Sequence, residues 1–116
     1  MLSKLARLKS IVWGNHRRLF IDLIVKRGDV SKNVIFLIDT GAPYTYLSNE
    51  TLKSMNVITD NFNSSTSITI SINTIKTSVS MSHSHINVLG SDFLALAEAI
   101  LLVNYKDNLL TLSMKP

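Results

Sequence analysis

An aspartate stands where an apolar run ends: residues 34–38 read VIFLI, and Asp39-Thr40-Gly41-Ala42 follow without a break. Charged side chains are seldom buried without a partner, because leaving water costs several kcal/mol or neutralises the group. A carboxylate in this position is therefore a candidate for acid–base work. The plain alternative is a loop acid that caps backbone amides at a strand end. His83 and His85 lie two apart, on one face if extended. The chain has no cysteine and no carboxylate cluster beside them, so they read as solvated strand-end histidines and not as metal ligands. No motif calls for a cofactor.

The elements that must position Asp39 are mostly strands. RLFIDLIVK (18–26) is β-rich, RGDVSKN is turn-forming, and VIFLI is a second strand, which together predict a hairpin. VIFLI itself reads as buried on both faces. YTYLS is a short extended segment, after which Ser48 caps a brief helix, NETLKSM, with Glu50 in its first turn. Residues 57–67 are a polar loop. SITISI alternates strictly, and across Asn73-Thr74 the apolar phase shifts by one, as a hairpin reversal requires. INVL (86–89) is another buried strand, ended by Gly90, and Ser91 caps a second short helix, DFLALAEA. ILLVNY and LLTLSM close the chain as strands around KDN. Many short strands with two stubby helices predict an all-β, closed, barrel-like domain.

Bulk properties narrow the function classes. A chain of 116 residues forms one small domain, and 46% hydrophobic residues predict apolar surface that a partner subunit covers. No run is long enough to span a membrane. The net charge of +4 is uneven: residues 1–21 hold Lys4, Arg7, Lys9, Arg17 and Arg18 and no acid. This divides the chain into a basic N-terminal extension, 1–17, and a domain, 18–116. Leu2, Leu5, Leu8 and Ile11 recur every three residues, the spacing of a basic amphipathic helical turn or two. The extension reads as a solvated arm, with an interfacial segment, a nucleic-acid contact and a transit peptide as alternatives. The aromatic interleaving and repeated basic patches of a nucleic-acid binder are missing. Absence of cysteine fits a reducing compartment, so a cytoplasmic location is expected, with mitochondrial targeting by the basic N-terminus the lesser alternative.

Taken together, VIFLIDTGA and INVLGSDFL resemble the two motifs of the retropepsin-like aspartic proteases, the retroviral enzymes and the protease domains of DNA-damage-inducible proteins. The closing NYKDNLLTL looks like the final hairpin of the cellular members, and the likeness spans residues 18–112. It implies that Asp39 is catalytic and that Thr40, Gly41 and Ala42 support its loop. Gly41, Pro43 and Tyr44 would contact substrate, while Leu89 and Gly90 would pack beneath the loop. Hydrolysing a peptide without a metal or a nucleophilic side chain requires one group to activate water and another to protonate the carbonyl. Two carboxyls in contact do both by sharing one proton. With a single DTG per chain, the resemblance implies a homodimer that buries Asp39 against its own copy and cleaves a peptide or polyprotein substrate.

Two departures from the family pattern matter. Retroviral members place an acid after the alanine and an arginine after the later glycine; here Pro43 and Ser91 stand there. Both partners of that pair are absent together, as in cellular relatives. The family also closes a glycine-rich flap over its substrate. The four glycines here are at 14, 28, 41 and 90, none in the corresponding region. Two readings result: an aspartic endopeptidase, or a non-catalytic dimerisation or peptide-binding module with a reduced flap.

Overall fold

The computed structural model describes residues 6–116. Its strands are β1 (Ala6–Trp13), β2 (Arg18–Arg27), β3 (Val30–Ile38), β4 (Tyr46–Leu47), β5 (Ser67–Ile72), β6 (Ile75–Met81), β7 (Asn87–Leu89), β8 (Ile100–Asn104) and β9 (Leu109–Met114); the helices are α1 (Asn49–Ser54) and α2 (Ser91–Leu96). Six strands form a closed ring in the order β2-β3-β7-β4-β6-β5 and back to β2. From β2 the sheet continues outward through β1 and β9 to β8. The expected all-β, barrel-like class with two short helices is what the chain adopts.

Period-two patterning builds the barrel wall. Ile21, Leu23 and Val25 of β2 point inward, as do Val34, Phe36 and Ile38 of β3. They meet Leu47, Leu52, Met55, Ile70, Ile72, Val79, Leu89 and Phe93, and β9 adds Leu110, Leu112 and Met114 to the same core. β3 is not buried on both faces as expected: Ile35 is 63% exposed. A barrel wall has one interior, and β3 pairs antiparallel with β2 and parallel with β7 rather than lying between covering layers. The turn before β3 is also shorter than RGDVSKN suggested, since Arg27 already pairs with Val30.

Ser48 caps α1 as expected, its Oγ accepting from Thr51 N at 3.1 Å. α2 begins differently. Its N-cap is Gly90, Ser91 is the first helical residue, and no side chain caps the backbone in the usual way. Asp92 instead takes the N–H of Phe93 at 2.7 Å. Part of the basic stretch expected as an amphipathic helical turn is strand: residues 1–5 lie outside the described residues, but Ala6–Trp13 is β1. Alternation fits these residues as well as a three-residue spacing does, and six residue pairs with β9 favour the extended form.

The Asn73-Thr74 reversal is present, with Ile72 opposite Ile75. Both turn residues have positive φ, 48° and 73°. This suits asparagine but strains a β-branched threonine. Thr74→Gly is expected to stabilise the fold by about 0.5–1 kcal/mol, the relieved strain exceeding the added chain entropy, read as a higher urea midpoint at unchanged m-value.

Candidate active site

The Asp39 loop is held mainly by backbone. Asp39 N donates to Leu89 O at 3.0 Å and Ala42 N to Asp39 O at 3.1 Å; on the far side Ser91 N donates to Ala42 O at 2.8 Å. The two motifs, some fifty residues apart in the chain, are thus bonded to each other at both ends of the loop. The Asp39 carboxylate accepts the N–H of Gly41 at 3.0 Å, which sets its direction. Asp39, Thr40 and Gly41 are exposed, so the chain by itself does not bury this charge. Pro43 and Tyr44 are exposed beside them, whereas Ala42 is half-buried.

Gly90 is where the loop and the second motif come closest. A Cβ there would lie 2.1 Å from Tyr44 O and 2.9 Å from Ala42 O, so glycine is required by space and not by dihedral angle. Gly41 is different: an added Cβ would meet only Asp39 Oδ1, at 3.4 Å. Nothing within the chain itself demands glycine at 41.

A polar pair, buried at Thr45 and half-buried at Asp92, completes the frame. Thr45, 1% exposed, donates its hydroxyl to Asp92 Oδ1 at 2.7 Å and accepts Gly90 N–H at 3.0 Å. Asn87 accepts Ser48 N–H at 2.8 Å and donates to Ile35 O at 3.3 Å, tying β7 to the start of α1 and to β3. Neither Asp92 nor Asn87 was singled out from sequence. The available signal for Asp92 was an acid two residues past a strand-ending glycine; Asn87 was hidden inside an otherwise apolar strand. Every buried side-chain polar atom among the described residues has a partner, so the frame is fully satisfied.

After the loop in the chain, Tyr44 and Tyr46 line a cleft of about 380 Å³, and Tyr46 also lines a second of about 420 Å³; Ser64 is in the walls of both. Ser64 belongs to the 55–66 segment, which joins α1 to β5. It is a compact loop and not a long hairpin. Its tip is folded on Asn63, whose side-chain oxygen accepts from Ser65 N at 2.9 Å and from the hydroxyls of Ser65 and Thr66. Thr59 anchors its base through a 2.7 Å bond to Asn49 Oδ1. Away from the loop, His85 Nδ1 lies 2.9 Å from Glu50 Oε1. The Glu50 carboxyl is held below the ordinary glutamate range, first by its own backbone N–H at the start of α1 and then by His85. His83 and His85 are exposed, and they stand apart from Asp39.

No family model matches the sequence, and no curated protein matches it. Solved structures do match in fold. A retropepsin-like aspartic protease from Rickettsia conorii aligns over 100% of this chain and 96% of its own, with a TM-score of 0.70 at 16% identity. The retroviral protease-like domain of Ddi1 from Leishmania major aligns over 84% of this chain and 94% of its own, with a TM-score of 0.46 at 12% identity. The first of these likenesses establishes the architecture: the chain has the retropepsin-like fold.

Proposed function

We propose that the chain is a homodimeric aspartic endopeptidase in which the Asp39 carboxyls of two subunits meet and activate water against a peptide bond. The observation that carries this reading is the Asp39 loop itself. It presents a carboxylate to solvent, aimed by a backbone N–H, on a frame with no other evident use for it. One such group cannot both take a proton from water and give one to the carbonyl, whereas a pair sharing a proton does both.

Dimerisation has a natural seam. The outward sheet ends at β8, whose far edge pairs with no strand among the described residues and whose Ile100 and Leu102 are exposed. An unpaired apolar edge is a template for strand pairing, and two β8 edges joined antiparallel about a twofold would give a six-stranded sheet. Extended substrate would lie across Asp39, with Gly41 and Pro43 at its backbone and side chains reaching the clefts beside Tyr44 and Tyr46.

The short loop at 55–66 favours the second reading, a peptide-binding module without turnover, because a small lid excludes less water from the reacting groups. Incubation with a mixed peptide library at mildly acidic pH separates the two. The endopeptidase yields defined cleavage products, and its specific activity falls on dilution through the dimer dissociation constant. Intact peptides at every pH and concentration establish the module. Constant specific activity far below that dissociation constant would show that one subunit suffices.

A further inference from the structure

The outward sheet has a second face that the core does not use. In register, Arg7, Ser113 and Ile100 form one row across β1, β9 and β8; Lys9, Thr111 and Leu102 form the next; Ile11, Leu109 and Asn104 the third. Trp13 extends the face at the end of β1, opposite Arg18 of β2. Five large apolar side chains stand out on this side: Ile11, Trp13, Ile100, Leu102 and Leu109, each more than half exposed. Such a contiguous patch marks an interaction surface.

Its charges narrow the partner. Arg7 and Lys9 are exposed in the same rows, Arg18 borders Trp13, and the three strands contain no carboxylate. A second copy laid face to face would bring these cations against their own images with no acid between them. A surface of negative headgroups over acyl chains is complementary in both respects: basic side chains meet the phosphates and carboxylates, while apolar side chains enter the boundary layer. The tryptophan suits the same boundary, where its ring is apolar and its N–H finds water or a headgroup. The face is also broad, made of side chains from three adjacent strands.

We infer that the outer face of β1-β9-β8 docks the protein onto an anionic lipid bilayer. The docking does not depend on peptidase activity. It is compatible with the proposed β8 seam, because antiparallel pairing about a twofold normal to the sheet leaves both copies of this face on one side, doubling the contact.

Trp13 is the chain's sole tryptophan and reports directly on the face. The full chain is mixed with large vesicles of phosphatidylcholine alone or with about 30% phosphatidylserine, at low and high salt. Docking predicts at least about tenfold stronger partition onto the phosphatidylserine vesicles, weakening in high salt, with Trp13 emission shifted to the blue. Lys9→Glu should weaken partition about tenfold and Leu109→Gln about fivefold, both with unchanged far-UV dichroism. The inference is overturned if partition is equal on the two vesicle types, or if the protein binds while Trp13 emission stays unchanged. It is also overturned, in favour of a second copy, if vesicles fail to bind and Leu109→Gln lowers the sedimentation coefficient.

Discussion

Under the proposed function, Asp39→Asn is expected to lower peptide hydrolysis by about 10³-fold or more while leaving the fold and the proposed dimer in place. The substitution is nearly isosteric, and its side-chain oxygen can still accept the Gly41 N–H that aims the native carboxylate at 3.0 Å. What it removes is the proton chemistry, since an amide neither takes a proton from water nor returns one. Mixing sharpens the test. When wild-type and Asp39→Asn subunits exchange freely, a site needing two carboxyls gives activity that follows the square of the wild-type fraction. A linear decline would mean that one Asp39 per site is enough, and undiminished activity in the pure variant would remove Asp39 from the chemistry.

Gly90→Ala is expected to be the most damaging small substitution in the chain. Its new methyl would sit 2.1 Å from Tyr44 O and 2.5 Å from Tyr44 C. These are backbone atoms of a loop anchored on both sides, by the Asp39–Leu89 and Ser91–Ala42 bonds, so they cannot swing aside as a flexible side chain would. Overpacking typically costs 1–3 kcal/mol and more where nothing yields; a loss of about 3 kcal/mol or failure to fold is the expected outcome. Urea unfolding of the purified variant, or its absence from the soluble fraction, measures this. Gly41→Ala is the control. The same added methyl meets only a carboxylate oxygen at 3.4 Å, so this variant should fold normally. Native-like stability in Gly90→Ala would show that the loop relaxes further than its bonds suggest.

How much of this was legible in the sequence follows from where each constraint resides. The Asn73-Thr74 reversal and the Ser48 cap are local: they depend on residues adjacent in the chain, and they were readable. The Asp39 loop and the Leu89-Gly90 strand end were recognisable as motifs because their residue types are unusual at strand ends. Closure of the barrel was not legible in detail, because it rests on parallel pairing of β3 with the three-residue β7 and on the two-residue β4, segments too short to carry a period. The Thr45–Asp92 bond was hidden for the same reason, as its partners are 47 residues apart. β1 was misleading since its leucine spacing fits a helix until β9 supplies a partner. Burial on both faces was assigned to β3 from composition alone, and composition does not reveal that the outer side of a barrel wall faces water.

The same short staves that complete the ring have a kinetic meaning. β4 and β7 contribute two and three residues, and they flank the loop that carries Asp39. Regions with few cross-strand bonds open at lower free energy than the long β2–β3 and β5–β6 ladders, and contacts between distant segments form late. The loop that carries Asp39 is thus expected to be the last part of the chain to be assembled and the first to come apart. A partly unfolded chain is thus expected to keep most of its framework after it has lost the arrangement around Asp39.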